Sequence, residues 1–274
     1  MPTELESLLE KKNGNDFVGK MIVVSDSISD GSFLVHHFIS QATRDRHLLC
    51  LVSFAHAFAH YNTTGTKLGS NLLRHQQAGK VIFVDCLTKL FEGKGPIKDD
   101  QCISHQVAFS TASDRSLLTD LYRTICLCVK ELMKNNPEQP VCLVMDDFSL
   151  LLSLGLQLQE LVKFVHQCHF LLCTTVGYCK RSGYFILTVH NDQDCHDEDE
   201  MLLKTHTLHI CDINLHVEGL STGYSQDVHG ELIVEWRNPE QSSSKAALSR
   251  KCMQFRLSEK SVHLFAKGMS DAVL

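Results

Sequence analysis

The sequence has no apolar run long enough to cross a membrane. Its longest apolar stretch, Phe148–Leu158, is interrupted by Ser149, Ser153 and Gln157, and it falls short of the roughly 20 apolar residues that a membrane-spanning helix needs. The first residues, Met1–Ser7, are acidic and lead into no long apolar segment. We therefore expect neither a membrane span nor a signal peptide.

The spacing of a zinc site is also missing, although the chain has 12 cysteines. They occur singly or in near pairs, such as Cys126 and Cys128, within apolar segments and without a repeated C-x-x-C pattern. Thiols in such surroundings are typical of a reduced protein core. This usage favours a cytosolic or nuclear protein over a secreted one.

A basic excess is absent as well. The formal net charge is −6, whereas nucleic-acid binding normally depends on a basic patch that neutralises phosphates. Any contact with nucleic acid would therefore need a local basic patch or partner chains.

Size and composition favour a single α/β domain. The 274 residues are 43% hydrophobic and 21% charged, which is ordinary for a globular protein, and α/β domains often reach this length. We predict a lead-in over residues 1–19 and one domain over residues 20–274. Within that domain we expect a long loop over 85–113, an acidic loop over 191–200 and a serine-rich linker over 238–249.

Strand and helix patterns alternate along most of the chain, which predicts βαβ units and a mostly parallel sheet flanked by helices. The last third is rich in strand patterns and should extend that sheet with an antiparallel part. Helices are predicted from Ser32, over Tyr61–Gln77, from Asp114 and over Leu156–Cys168. The predicted strands are Met21–Val24, His47–Phe54, Val81–Val84, Val141–Met145, Tyr184–Val189, Leu208–Val217, Glu231–Trp236, Lys251–Leu257 and Ser261–Phe265.

The first strand, loop and helix occupy the place where a phosphate-binding P-loop would lie. That motif is G-x-x-x-x-G-K-[ST], because glycines let backbone N–H groups surround the phosphates while the Lys and the hydroxyl contact phosphate and magnesium. The corresponding positions here are Ser25, Asp30, Gly31 and Ser32, so only the final hydroxyl fits. The loop is thus a degenerate P-loop.

Two carboxylates of this loop, Asp26 and Asp30, would repel a phosphate at a helix N-terminus that is otherwise suited to bind one. The alternative local role is structural, since Asp30 and Ser32 are residue types that favour helix N-caps. We predict that the loop keeps the architecture of a nucleotide site and lacks its chemistry.

Asp146 ends an apolar strand, as does the aspartate that holds magnesium in P-loop enzymes. Without a loop lysine this signal is weak. The alternative is that Asp146 and Asp147 hydrogen-bond the loop that begins at Phe148. An atypical P-loop ATPase or kinase acting on its own nevertheless stays open as an alternative function.

Other catalytic patterns are incomplete. His56 and His60 have the i, i+4 spacing of H-E-x-x-H metal sites, but Ala57 follows His56 and no third ligand can be named. A hydrolase with a histidine and aspartate metal site therefore lacks a full ligand set. We also expect no nucleophile elbow. The segment Gly219–Gly223 has the letters G-x-S-x-G, but the next predicted element is the strand Glu231–Trp236 and not the helix that an elbow needs. We assign no catalytic, cofactor-binding or metal-binding residue.

Four separated segments, taken together, closely resemble the Elongator complex protein 6 family of vertebrates. They appear in the family's order and reach the last residue: Asp30–Phe38, Asp146–Gly155, Glu218–Leu232 and Phe265–Leu274. The resemblance spans essentially the whole chain.

The resemblance implies a RecA-like fold without nucleotide-binding signatures. It further implies assembly with Elongator proteins 4 and 5 into a ring of six subunits, two of each, that binds tRNA and supports modification of the wobble uridine by the Elongator complex. The family provides no active-site residue to carry over, and the chemistry belongs to a different, catalytic subunit. Basic loop residues are the candidate tRNA contacts, with ordinary surface solubility as the alternative: Lys94, Lys98, Lys180 and Arg181.

Overall fold

The computed structural model describes residues 4–9, 17–87, 114–174, 183–190, 198–220, 223, 225, 227–237, 249–258 and 261–267. Within these residues, nine strands form one sheet in the order β3-β2-β4-β5-β1-β6-β7-β8-β9. The strands are β1 Met21–Ser27, β2 Leu48–Ser53, β3 Val81–Asp85, β4 Val141–Asp146, β5 Gly183–His190, β6 Ile213–Glu218, β7 Gly230–Trp236, β8 Ser249–Leu257 and β9 Val262–Phe265.

The sheet has a parallel part and an antiparallel part. Strands β3, β2, β4, β5, β1 and β6 pair in parallel, whereas β7, β8 and β9 continue the sheet as antiparallel neighbours. This arrangement confirms the predicted fold class. In the register, Asp26 of β1 lies opposite His190 of β5, and Asp146 of β4 lies opposite Ser53 of β2.

Helices cover both faces of the sheet. They are α1 Glu4–Leu8, α2 Ser32–Arg44, α3 Phe58–Lys67, α4 Leu72–Gln77, α5 Asp114–Asn135, α6 Leu150–Ser153, α7 Leu158–Cys173 and α8 Glu198–Ile210.

The central strand β1 is buried at all seven positions, because its side chains alternate between two cores. Met21 and Val23 face the core formed with α5, α7 and α8. Ile22 and Val24 face the core formed with α1, α2, α3 and α4. The continuous apolar run at this strand is thus the pattern of a strand covered on both sides.

The predicted helix over Tyr61–Gln77 is wrong, because the structure has two helices there. Helix α3 ends at Lys67, and α4 begins at Leu72. Between them Gly69 has a φ of 84°, a left-handed conformation that favours glycine. Gly79, which follows α4, has a φ of 68° and ends that helix as predicted.

The predicted strand over Leu208–Val217 is also wrong in its first part. Helix α8 continues to Ile210, and β6 begins only at Ile213. The last three residues of the predicted acidic loop, Glu198 to Glu200, form the first turn of α8. Carboxylates are favoured there because the N-terminus of a helix carries partial positive charge.

Several predicted segments lie partly or wholly outside the described residues. These are residues 88–113 of the long loop, 191–197 of the acidic loop and 238–248 of the linker. None of the described helices combines the length and the hydropathy that a membrane span needs.

Candidate functional site

Asp26, near the end of β1, extends its carboxyl group to the start of α2. The Asp26 side chain is only 5% exposed, and its Oδ2 accepts a hydrogen bond of 2.8 Å from the Gly31 N–H. In a phosphate loop, backbone N–H groups at the start of this helix would face the ligand. A Cβ atom at Gly31 would lie 3.2 Å from Asp26 Oδ2, so glycine permits this close approach.

Asp30 interacts with the start of α2, but not as predicted. The N-cap position is Gly31, which has no side chain to accept a hydrogen bond. Asp30 accepts hydrogen bonds of 2.8 Å from both the N–H and the hydroxyl of Ser32. Asp30 therefore satisfies one free N–H of the helix, whereas the prediction of Ser32 as a cap is wrong. The one residue that fits the P-loop template has its hydroxyl bonded to Asp30.

Ser25, the first position of the degenerate P-loop, points toward β6. Its Oγ lies 3.0 Å from Nδ1 of His216 and 3.4 Å from Oδ1 of Asn214. Ser25 itself is fully buried. These contacts join the two strands instead of leaving the hydroxyl free for a ligand.

His190, at the end of β5, lies between two carboxylates. Its Nδ1 is 2.6 Å from Asp26 Oδ1, and its Nε2 is 3.6 Å from Asp147 Oδ1. The His190 backbone N–H donates to Ser149 Oγ at 2.7 Å. The parallel strands β1, β4 and β5 place these groups together, because their carboxyl ends share one edge of the sheet.

Charge and burial shift the pKa values of His190 and Asp147. Burial by itself would lower the pKa of His190, but the hydrogen bond and the charge of Asp26, followed by the charge of Asp147, outweigh it and raise the pKa to about 9. Burial raises the pKa of Asp147, and the charge of His190 opposes that shift. At neutral pH His190 is thus a cation held between acids.

Asp146 at the end of β4 has a different, uncharged partner. The Tyr61 hydroxyl donates to Asp146 Oδ2 at 2.5 Å and lies 2.7 Å from Ser53 Oγ. Ser53 Oγ also accepts the His56 N–H at 3.0 Å. Burial, and then the charge of Asp146, raise the pKa of Tyr61 above its ordinary range. We call Asp26, Asp146, Asp147, Tyr61 and His190 the strand-end cluster.

Three histidines lie next to Tyr61. The rings of His56 and His60 are 4.1 Å apart, and His36 of α2 lies 5.2 Å from His60. His56 and His60 do not share a helical face, because α3 begins only after the extended N-cap residue Ala57. Their contact instead comes from the turn that precedes the helix.

Two of these histidines, His36 and His60, have lowered pKa values. Burial, followed by the charges of His60 and His56, lowers the pKa of His36 to about 4. Burial and then His56 lower the pKa of His60. Among the described residues, no group of three His, Cys, Asp or Glu side chains has an arrangement that could hold a metal ion.

The candidate tRNA contacts cannot be placed in this site. Lys94, Lys98, Lys180 and Arg181 lie outside the described residues, so they stay predictions. In contrast, two residues of the strand-end cluster were not singled out from the sequence. His190 directly follows a predicted strand, and the shared carboxyl edge of parallel strands could have identified it. The pairing of Tyr61 with Asp146 has no comparable sequence signal.

Solved structures share this architecture. An uncharacterized protein from Pyrococcus horikoshii, crystallised in complex with an unknown peptide, has a TM-score of 0.65 with 10% sequence identity, and the match covers 97% of both chains. A KaiC-like protein from Pyrococcus horikoshii OT3 has a TM-score of 0.55 with 11% identity, and the match covers 90% of both chains. At these identities the likeness concerns the fold alone. The fold is therefore RecA/KaiC-like, and its P-loop is degenerate.

Sequence comparison defines the family. Residues 2–259 match the family described as Elongation complex protein 6. The Elongator complex protein 6 of Homo sapiens is 33% identical over 276 residues, with 100% of both chains covered. The Xenopus tropicalis protein is 34% identical and the Danio rerio protein 32% identical, each with 99% of both chains covered. The chain belongs to the Elongator complex protein 6 family, which confirms the predicted resemblance.

Proposed function

We propose that this chain is a non-catalytic subunit of the Elongator complex. It joins Elongator proteins 4 and 5 in a six-membered RecA-like ring, which supports wobble-uridine modification of tRNA through assembly and tRNA binding. Family membership supports the first part of this proposal. The absence of a repeated C-x-x-C pattern and the location of the cysteines in apolar segments fit a protein of the cytoplasm or the nucleus.

One observation carries the non-catalytic assignment. The Asp26 carboxylate accepts the Gly31 N–H at the position where a P-loop would face phosphate, and His190 holds its other oxygen. A nucleotide phosphate would have to displace this buried, hydrogen-bonded carboxylate. It would also have no loop lysine to neutralise its charge. The negative charges of the phosphate and of the carboxylate would repel each other, which opposes binding. No cofactor is therefore assigned.

Titration calorimetry of the full chain with Mg-ATP tests this assignment. We expect no binding in the micromolar range. Micromolar binding that disappears in Ser32→Ala and Asp146→Asn variants would instead favour the alternative, an atypical P-loop ATPase or kinase. Asp120→Asn, on helix α5 and outside the strand-end cluster, provides a matched control for the loss of a carboxylate.

Co-expression with Elongator proteins 4 and 5 tests the ring. We expect the chain to aggregate when it is expressed alone. With the two partners it should form a monodisperse assembly that contains two copies of each protein, as measured by light scattering. A stable monomer that the two partners leave unchanged would overturn this part. In a ring, a RecA-like subunit contacts its neighbours through apolar surface. On an isolated chain the same surface would be exposed to water and would promote aggregation.

Charge reversal in the assembled ring tests the tRNA contacts. Lys180→Glu together with Arg181→Glu should weaken tRNA binding and reduce its dependence on salt, because each phosphate contact releases counterions. Lys94→Glu with Lys98→Glu should act in the same direction. Lys134→Glu at the end of α5 is the control for a general change in charge. Affinity that stays the same at every salt concentration would remove these residues from the interface.

A further inference from the structure

A cavity of about 440 Å³ lies beside helix α2, and no residue of the strand-end cluster is among those that line it. Residues of α1, the end of β8 and the start of β9 line it, together with residues at the C-terminal end of α3. One face of α2 supplies five of the lining side chains, at the i, i+3, i+4, i+7 and i+11 positions of the helix: Phe33, His36, His37, Ser40 and Arg44.

The walls of this cavity are mostly apolar. Leu5 is buried, and Phe33, Leu68, Leu257 and Val262 are half-buried around the space. Cavities of this size, with apolar walls and a few polar groups, are typical of small-molecule sites. Transfer of an apolar ring from water to such walls is favourable.

The charged groups around the cavity already have partners within the chain. Arg44 pairs with Glu6 at 2.9 Å. The Glu4 carboxylate accepts the Leu264 N–H and lies 3.5 Å from the His263 ring. His36 is uncharged at neutral pH because its pKa is lowered to about 4, first by burial. A charged ligand would thus lose its water without gaining an unpaired counter-charge, which costs free energy.

We infer that this cavity binds an uncharged aromatic small molecule that has one hydrogen-bonding group. The ring of the ligand packs against Phe33 and the aliphatic walls, in the offset or edge-on contacts that aromatic rings favour. Ser40 borders the cavity, and its buried hydroxyl has no hydrogen-bond partner among the described residues. A carbonyl or hydroxyl group of the ligand would give Ser40 that partner. This inference does not depend on ring assembly or on tRNA.

Saturation-transfer NMR with three probes of the same shape tests the ligand class. Benzamide is uncharged, whereas benzoate and benzamidine carry opposite charges. We expect benzamide to bind the full chain at neutral pH and the two ions to bind at least about tenfold more weakly, since their desolvation is not compensated. Equal binding of the three probes, or no benzamide signal at millimolar concentration, would overturn the inference.

Cavity-filling variants test the location. Val262→Trp adds bulk from the β9 side and should abolish the benzamide signal. Leu127→Trp, at a residue that is 54% exposed on α5, is the matched control and should leave the signal unchanged. If thermal melting shows that Val262→Trp does not fold, Thr64→Phe fills the cavity from α3. Binding that persists in a folded filled variant, or that the control also loses, would contradict the assignment.

Discussion

The two halves of the strand-end cluster bury their carboxylates by different chemistry. Asp26 and Asp146 are each 5% exposed. Asp26 is held by the cationic His190, whereas Asp146 is held by the neutral hydroxyl of Tyr61. The first half is thus an internal ion pair, and the second is a hydroxyl network. In each half, the carboxylate has a hydrogen-bond partner within the chain, at a position where a nucleotide-binding enzyme would hold phosphate or magnesium.

The stability of the folded chain should depend on pH through two histidines in these surroundings. The pKa of His190 is raised from 6.5 to about 9, so its stabilising contribution is complete below pH 6.5 and is lost as the pH rises through 9. The pKa of His36, beside Tyr61, is lowered from 6.5 to about 4. Its contribution is complete above pH 6.5 and is lost as the pH falls toward 4. Alkali should therefore weaken the Asp26–His190 pair, whereas acid should weaken the packing of His36 beside Tyr61.

The largest effect is expected from Asp26→Asn. Removal of the charge weakens the hydrogen bonds to His190 and Gly31 and should lower the free energy of unfolding by about 1.5–3 kcal/mol, the usual range for bonds to charged groups. Urea unfolding at a series of pH values measures it. The cost relative to wild type should shrink between pH 6.5 and 9, because the unfolded chain gives up the His190 proton over this interval while the folded chain still holds it. A cost no larger than that of Asp30→Asn in the same loop would contradict the ion-pair description.

Tyr61→Phe should have the next largest effect. The variant keeps the ring but leaves the Asp146 carboxylate without its hydroxyl donor, at a cost of about 1–2 kcal/mol. Urea unfolding of Tyr61→Phe should show the same cost at pH 7 and pH 9, unlike Asp26→Asn. Tyr122→Phe on α5 is the control for loss of a phenol. A strongly pH-dependent cost over that interval would mean that the two halves are coupled.

Acid should reveal His36. Between pH 6.5 and 5.5 the neutral, buried His36 should lose about 1 kcal/mol of stabilisation, because the unfolded chain takes up a proton that the folded chain does not. His36→Gln should flatten this part of the stability curve. The exposed His166 on α7 provides the control, His166→Gln. An acid limb that is equally steep in His36→Gln would assign the effect to other groups.

Asp30→Ala is expected to have the smallest effect, about 0.5–1 kcal/mol, because it removes the acceptor of one helical N–H at an exposed position. Thermal unfolding measures this change. No catalytic step intrinsic to the chain should be affected. A loss as large as that of Asp26→Asn would mean that the exposed carboxylate, and not the buried one, organises the loop.

The sequence predicted the parallel part of the sheet because its strands are short apolar runs between helical patterns. Helix α8 was missed for a physical reason: only Leu203 and Thr207 of this helix are buried. The helix therefore lacks a continuous apolar stripe, and its acidic first turn resembles a solvated loop. The break between α3 and α4 depends on the backbone at Gly69, which helical periodicity does not show.

The site was predictable only in its local part. The carboxylates of the β1–α2 loop and the missing lysine were visible in the sequence, and they led to the expectation of a degenerate P-loop. The partners of those carboxylates come from distant segments: His190 follows Asp26 by 164 positions, and Tyr61 precedes Asp146 by 85. Such pairs depend on strand order. The division into a lead-in and one domain, and the tRNA contacts, stay predictions.

Helix α1 lies at the outer margin of the sheet. Its Glu4 carboxylate accepts the N–H of Leu264 on β9, and Leu5 is buried in the core on the α2 side of the sheet. An unpaired strand margin is a template for pairing with another molecule, and an acidic side chain placed across it discourages such growth. We therefore expect the first helix to hinder pairing at this edge, so that shortened versions that begin after residue 9 should aggregate more readily than the full chain.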